Sequence, residues 1–266
     1  MRRATLLGVR IDLPTRRELL SLLRQTLRGP SPGLVDITTV NAECLAIAHA
    51  EPAYREVLNR CRLNLVDSVG VALALGLKGI TPVERVPGRE LVEVLAALCW
   101  EAGAGLFLLG SREQVAREAA FRLMARHPGL MVAWHCPPFL PGPQMPPSVE
   151  QAALGALRHH RPKVVCVALG MPKQELWIGL HRRRLCSLGV RIAIGVGGTL
   201  DYLAGVVPLP PAWAAQWGLE WLLRLVRQPR KRLGRQVRRL PLFLALALRE
   251  AVHHRICALD RQRYLC

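Results

Sequence analysis

The residue best placed for acid–base chemistry is Asp67, which directly follows a short apolar stretch predicted to be a strand, residues 62–66. No other acidic residue lies between Glu56 and Glu84, so Asp67 stands in apolar surroundings. Desolvation at such a strand end raises the pKa of a carboxyl group unless hydrogen-bond donors compensate. A carboxylate of that kind suits a general base. The structural alternative is that Asp67 caps an apolar helix predicted over 71–77.

Short polar side chains occupy a second junction between a strand and a helix. A strand predicted over 34–40 contains Thr39, and Asn41 precedes a helix that runs through Ala50. Backbone N–H groups and short polar side chains at such a junction can hold a polar or anionic ligand. The alternative interpretation gives Asn41 or Thr39 only the role of helix N-cap.

A third group of candidates lies in residues 163–205, where two apolar runs, 164–169 and 190–196, flank an amphipathic segment. This alternation is typical of a βαβ unit with a parallel sheet. Each run leads into a glycine-containing turn, Gly170-Met171-Pro172 after the first and Gly197-Gly198 after the second. Ligands of parallel sheets bind at the carboxyl ends of the strands, so these turns are predicted to form half of an active site.

Strands and helices are predicted to alternate along the chain, and these elements must position the candidate residues. The predicted strands cover residues 5–13 (one strand with a turn, or a strand pair), 34–40, 62–66, 105–110, 130–134, 164–169 and 190–196. The predicted helices begin near residues 14–16, after Asn41, at 71, at 91, at a Ser111-x-x-Gln114 capping box and at 149. This order predicts the α/β class, with a Rossmann-like, mostly parallel sheet flanked by helices.

The bulk composition restricts the partners and the compartment. A net charge of +18 over 266 residues indicates an anionic partner: nucleic acid, a membrane surface or a phosphorylated substrate. Eight cysteines without C-x-x-C spacing argue against a zinc site and for a reduced, cytoplasmic compartment. Neither a signal peptide nor an apolar run of about 18 residues is visible, so we expect the chain not to span a membrane.

The composition changes over residues 213–266, where aromatic residues mix with many arginines. Leu233, Val237 and Leu240 recur at i, i+4 and i+7, which predicts an amphipathic basic helix of the kind that lies in an anionic membrane interface. The alternatives are a nucleic-acid-binding face and an ordinary solvated face. We therefore expect an α/β domain over residues 1–212 and a basic helical appendage after it.

Two prolines interrupt this appendage. Pro229 and Pro241 are predicted to divide it into about three helical pieces, because proline breaks a helix interior.

Metal and dinucleotide chemistry receive no support from the sequence. No D-x-D pair and no cluster of His and acidic residues has ligand spacing, so we expect no metal ion and no other cofactor. The stretch GVGGTL at 195–200 lacks the third glycine of the dinucleotide fingerprint, and there is no Walker A loop.

Seven motifs occur in one order along the chain. They are VNAE at 40–43, Asp67 at a strand end, ERVPG at 84–88, FLLGS at 107–111, ALGMPKQELWI at 168–178, GVGGTLDYLAG at 195–205 and GLEWLLRL at 218–225. Together they resemble the WecG/TagA/CpsF family of bacterial glycosyltransferases, glycosyltransferase family 26, over about residues 5–240.

The resemblance implies inverting transfer of an N-acetylmannosamine-type sugar from a UDP-sugar to a polyprenyl-diphosphate-linked GlcNAc acceptor. The expected setting is surface-glycan synthesis, with the enzyme peripheral on the cytoplasmic face of the cell membrane. The roles that the resemblance implies are a general base at Asp67, sugar contacts at Thr39 and Asn41, a site contact at Gln174, and nucleotide contacts at Gly197, Gly198 and Asp201.

Charge on the UDP leaving group needs a cation or N–H donors, which Arg85, the glycine-rich turn and a helix N-terminus could supply without a metal ion. Arg224, Arg232 and Arg235 are expected to meet the acceptor diphosphate and the anionic membrane. A homo-oligomer is compatible with the sequence, and a nucleic-acid partner is not expected.

Several positions depart from the family pattern. The family usually has Asp-Gly where this chain has Asp67-Ser68, an arginine where it has Leu209, and a tyrosine where it has Pro138. The change at Ser68 is modest, whereas the missing arginine and tyrosine allow a different UDP-hexose or reduced activity. Two other functions remain open at this stage: a non-catalytic accessory subunit of another glycosyltransferase, and a nucleic-acid-binding protein.

Overall fold

The computed structural model describes residues 1–30, 33–81, 84–138, 145–211 and 239–254. The strands in these ranges are β1 (Arg2–Leu6), β2 (Val9–Leu13), β3 (Val35–Val40), β4 (Leu63–Val66), β5 (Leu106–Gly110), β6 (Val132–His135), β7 (Val164–Ala168) and β8 (Ile192–Gly195). The helices are α1 (Arg16–Arg28), α2 (Ala42–Ala50), α3 (Pro52–Arg60), α4 (Val69–Leu77), α5 (Gly88–Glu101), α6 (Glu113–Arg126), α7 (Pro147–His160), α8 (Lys173–Ser187), α9 (Thr199–Leu203) and α10 over residues 239–254.

The centre of the fold is a six-stranded sheet in the order β4-β3-β8-β7-β5-β6, in which every neighbouring pair is parallel. Helices cover both faces. Val164 and Cys166 of β7 pack in the cluster shared with α1, α5, α6 and α9, whereas Val165 and Val167 pack towards α7 and α8. Burial on both faces explains why these strands are continuous apolar runs in the sequence. The predicted α/β class with a parallel, helix-flanked sheet is confirmed.

The first strands form an antiparallel pair, as one of the two interpretations of residues 5–13 predicted. Leu7 and Gly8 connect them with φ angles of 51° and 75°, the signs that a two-residue type I′ hairpin turn requires. The hairpin covers the edge of β4, where the Asn64 N–H donates to Asp12 Oδ2 at 2.9 Å. The edge strand nearest Asp67 is therefore shielded from pairing with another chain.

Helix α10 packs against the hairpin, α2 and α4. Its Phe243 is 1% exposed and lies in their apolar cluster, and Leu240 is half-buried against the same cluster. Glu250 accepts the Leu7 N–H at 2.6 Å and pairs with Lys78. Pro241 is the third residue of the described part of α10, and the helical pieces predicted before it fall on residues outside the described ranges.

The other predictions for this region fall on Leu233, Val237 and Pro229, which lie outside the described residues. Within the described ranges, no helix is long and apolar enough to cross a bilayer.

The structure differs from the sequence-based expectation at two places near the strand ends. Helix α3 was not predicted, although Pro52 stands in its first turn. Ser111 does not cap α6, which begins after Arg112 without a side-chain cap. The backbone explains this, because Ser111 has a φ angle of 68° and its N–H still donates to the Ala168 C=O at 3.2 Å, as an extension of the sheet.

Replacing Phe243 by alanine is expected to lower the free energy of unfolding by about 3–5 kcal/mol, because a fully buried aromatic ring leaves a cavity. The neighbouring Leu244, which is 50% exposed, gives the matched control, and its change to alanine should alter stability by no more than about 0.5 kcal/mol. Urea unfolding followed by circular dichroism measures both. Equal midpoints for the two variants would contradict the packing of α10 on the domain.

Candidate active site

The carboxylate of Asp67 is held by two donors at the carboxyl end of β4. Its Oδ1 accepts the N–H of Gly88 at 3.0 Å, and its Oδ2 faces the Asn41 Nδ2 at 3.4 Å. The backbone is fixed as well, since the Asp67 N–H donates to the Val40 C=O at 2.9 Å. The side chain is thus oriented by groups from β3 and α5, as a positioned general base requires.

The alternative that Asp67 caps the helix predicted over 71–77, which is α4, is wrong. Ser68 caps α4, because its Oγ accepts the Val71 N–H at 3.4 Å. For Asn41 the helix-cap interpretation is confirmed, and its contact with a ligand stays a prediction. Its Oδ1 accepts the Cys44 N–H at 3.0 Å and caps α2, while its Nδ2 turns towards Asp67.

Gly88 lies where the predicted residues converge. The Val86 N–H donates to the Val66 C=O at 2.7 Å, so the segment before Gly88 is fastened to the end of β4. A Cβ atom on Gly88 would lie 3.0 Å from Thr39 Oγ1 and 3.8 Å from Thr199 Oγ1. Because Gly88 has no side chain, the Thr39 hydroxyl at the end of β3 and the Thr199 hydroxyl at the start of α9 can approach the backbone that supports Asp67.

Arg85 lies in the same segment and is half-buried. It precedes Gly88 by three residues, so it belongs to the loop that supports the carboxylate of Asp67.

The glycine turn after β8 is held from below by a side-chain amide. Gly197 has a φ angle of 50°, and its N–H donates to Gln174 Oε1 at 2.9 Å. Gln174 Nε2 in turn donates to Glu175 Oε1 at 2.7 Å. Both side chains are almost fully buried, with exposures of 3% and 4%. Gln174 thus contacts the turn directly.

Glu175 is a buried carboxyl group whose pKa differs strongly from its ordinary value. The pKa of Glu175 is raised to about 7: burial is the main cause, the hydrogen bonds of Gln174, the backbone and Tyr54 oppose it, and the nearby Glu43 adds to the rise. Sequence reasoning missed Glu175. The available signal was its place in the first turn of the helix that follows β7, which is where side chains of an α/β fold turn towards the strand ends.

A cleft of about 1600 Å³ lies beside these groups, over the carboxyl ends of β5 to β8. Its charged lining residues are Glu51, Arg60, Arg112, Glu113, Glu150, Lys173 and Asp201. Gly197, Gly198 and Pro138 also line it. A typical small-molecule pocket has a volume of about 300–1,000 Å³. The cleft is larger and therefore has room for a ligand with several parts.

The predicted residues fall into two neighbouring groups. Thr39, Asn41 and Asp67 surround Gly88 at the ends of β3 and β4 and are not among the described residues that line the cleft. Asp201 belongs to the cleft, where one of its oxygens lies 3.9 Å from Arg112. Thr199, two residues before Asp201, connects the groups through its approach to Gly88.

Three predicted contacts, Arg224, Arg232 and Arg235, lie outside the described residues. The described ranges contain no group of three or more His, Cys, Asp or Glu side chains that could hold a metal ion. The expectation that the reaction uses no metal and no cofactor stays a prediction.

Comparison with known proteins gives one family. The model of the glycosyl transferase WecG/TagA/CpsF family matches residues 4–256. Relatives from Staphylococcus aureus strains MW2 and MRSA252 are each 26% identical over 239 residues, which is 90% of this chain and 89% of theirs. Both are named N-acetylglucosaminyldiphosphoundecaprenol N-acetyl-beta-D-mannosaminyltransferase. With the match extending over nearly its whole length, the chain belongs to the WecG/TagA/CpsF family of glycosyl transferases.

Proposed function

We propose that the enzyme transfers an N-acetylmannosamine-type sugar from a UDP-sugar to a polyprenyl-diphosphate-linked GlcNAc acceptor, with inversion at the anomeric carbon. The observation that carries the proposal is the carboxylate of Asp67, oriented by Gly88 and Asn41 beside a large cleft at the strand ends. The names of the two relatives support the choice of sugar and acceptor.

The proposed step needs one base. Asp67 takes the proton of the acceptor hydroxyl, the freed oxygen bonds to the anomeric carbon, and the bond from that carbon to the UDP oxygen breaks. Single displacement of this kind inverts the configuration. The Gly88 N–H and the Asn41 amide keep the carboxylate aimed at the hydroxyl, so little reorganisation is needed.

Negative charge develops on the leaving UDP as that bond breaks. Arg85 is proposed to meet it, with Arg112 and Lys173 contributing cations from the lining of the cleft. The N–H of Gly197 is already used by Gln174, so in this proposal the turn shapes the nucleotide site and the cations neutralise the charge. Gly198 and Asp201 then lie beside the nucleotide.

Because the acceptor is linked to a lipid, the enzyme must act at a membrane surface. We propose that the enzyme is peripheral on the cytoplasmic face and that residues 213–266 form its basic membrane-associating appendage. Arg224, Arg232 and Arg235 would face the acceptor diphosphate and anionic lipid. The charge of +18 supports this assignment, since each cation near an anionic surface contributes about 1 kcal/mol.

An accessory, non-catalytic subunit is the second candidate. It is favoured by the departures from the family pattern at Leu209, which is 66% exposed, and at Pro138, which lines the cleft. Turnover separates the two candidates. Release of UDP across a panel of UDP-sugars with a GlcNAc-diphosphate-lipid acceptor supports the transferase, and a complete lack of release supports the accessory subunit.

Changing Asp67 to asparagine is expected to lower kcat by about 10²–10⁴-fold, the range for loss of a general base. The KM for the donor should change little, because the amide keeps the shape of the side chain. Coupled detection of UDP release measures both quantities.

The adjacent Ser68 gives the matched control for that variant. Ser68→Ala removes the cap of α4 and should lower stability by about 1 kcal/mol while leaving kcat within about threefold of wild type. An Asp67→Asn enzyme with wild-type kcat would remove Asp67 from the role of base.

Replacing Arg224, Arg232 and Arg235 together by alanine is expected to weaken binding to vesicles that contain phosphatidylglycerol by about a hundredfold. Sedimentation with vesicles at low ionic strength measures the binding. The control removes the same charge elsewhere, through alanine at the exposed positions Arg17, Arg62 and Arg117. Equal loss in both triple variants would show that net charge, and not the appendage, governs the association.

A further inference from the structure

We infer that Glu175 is a positioning residue of the transferase: its carboxylate orients the amide of Gln174, and that amide fixes the glycine turn at residues 197–198. The inference rests on the proposed function, because the turn is taken to meet the donor nucleotide. Glu175 acts through Gln174 and does not itself contact the substrate.

The hydrogen bonds form one chain from α8 to the turn. Glu175 Oε1 accepts from Gln174 Nε2 at 2.7 Å, and Gln174 Oε1 accepts the Gly197 N–H at 2.9 Å. The two ends of a side-chain amide have opposite hydrogen-bonding character. An acceptor at the nitrogen end therefore keeps the oxygen end directed at Gly197. Without that acceptor the amide can turn over and bring its NH₂ group against the Gly197 N–H.

The pair lies close to the backbone of β8 at Gly195. A Cβ atom on Gly195 would lie 2.7 Å from Gln174 Nε2 and 2.8 Å from Glu175 Oε1, closer than such atoms approach in proteins. Glycine at this position allows both polar side chains to lie directly against β8. The pair is thus held by packing as well as by hydrogen bonds.

The surroundings of Glu175 determine when it carries charge. The titratable groups that face it are Tyr54 from α3, Glu43 and Cys44 from α2, and Asp36 and Cys61 across a small void beside β3. Burial raises the pKa of Glu175 to about 7, so its ionisation changes near neutral pH. The ionised carboxylate is the stronger acceptor for the amide of Gln174.

Hydrogen exchange tests the positioning role without any ligand. In Glu175→Ala, the Gly197 N–H loses its fixed acceptor, so the peptide that contains residues 195–199 should exchange at least about tenfold faster. Leu185→Val is the matched control, because it perturbs the buried face of α8 away from Gln174. Exchange in Glu175→Ala that equals the wild-type or the Leu185→Val rate overturns the inference.

Calorimetric titration with UDP tests the consequence for binding. Glu175→Ala should raise the Kd by about tenfold, whereas Glu175→Gln, which keeps an acceptor oxygen, should stay within about threefold of wild type. Affinity in Glu175→Ala equal to that of wild type would overturn the link from the turn to the nucleotide. A wild-type enzyme that fails to bind UDP would instead refute the proposed function, and hydrogen exchange would still decide the positioning role.

The pH dependence separates positioning from a loss of stability. The ratio of the Kd of Glu175→Gln to that of wild type cancels the titration of the UDP phosphate. It should rise from about 1 near pH 6 to about threefold near pH 8, because only wild type gains a charged acceptor above its pKa of about 7. A ratio that stays constant would contradict a role for the carboxylate charge.

Discussion

The parallel direction of all six central strands is the constraint on which the site depends. Each strand delivers its last residue to the same edge of the sheet, so segments that are far apart in sequence become neighbours there. Asp67 after β4, Asn41 after β3 and the glycine turn after β8 are brought together in this way. Two glycines complete the arrangement, because a Cβ atom on Gly195 would overlap with Gln174 and Glu175, and a Cβ atom on Gly88 would crowd the Thr39 hydroxyl.

The carboxyl groups of Asp67, which is half-buried, and Glu175, which is buried, have different environments. Asp67 accepts a backbone N–H and faces an amide, and it stands at the edge of the sheet. Glu175 lies behind the glycine turn and is almost completely enclosed, so desolvation dominates its titration. Environment alone therefore assigns the two groups different roles: one suits proton transfer, and the other suits orientation of a neighbouring side chain.

The sequence predicted what depends on local pattern. The strands were found because burial on both faces makes them continuous apolar runs, and Asp67 and Asn41 were found because polar residues after such runs are conspicuous. Glu175 was missed because its burial depends on how α8 packs against β8 and α3, which no local pattern records. Helix α3 was missed because Glu51 alone separates it from α2.

The hydrogen bond between Leu7 and Glu250 joins residues 243 positions apart in the chain. During synthesis the hairpin of β1 and β2 leaves the ribosome long before α10 does, so the apolar cluster that they share stays open until α10 has been made. Contacts of such sequence separation also slow folding, because a long loop must close before they form. The apolar cluster of the hairpin, α2 and α4 is consequently completed only after α10 has folded onto it, and a chain that stops before α10 exposes this cluster to the chaperones of the cell.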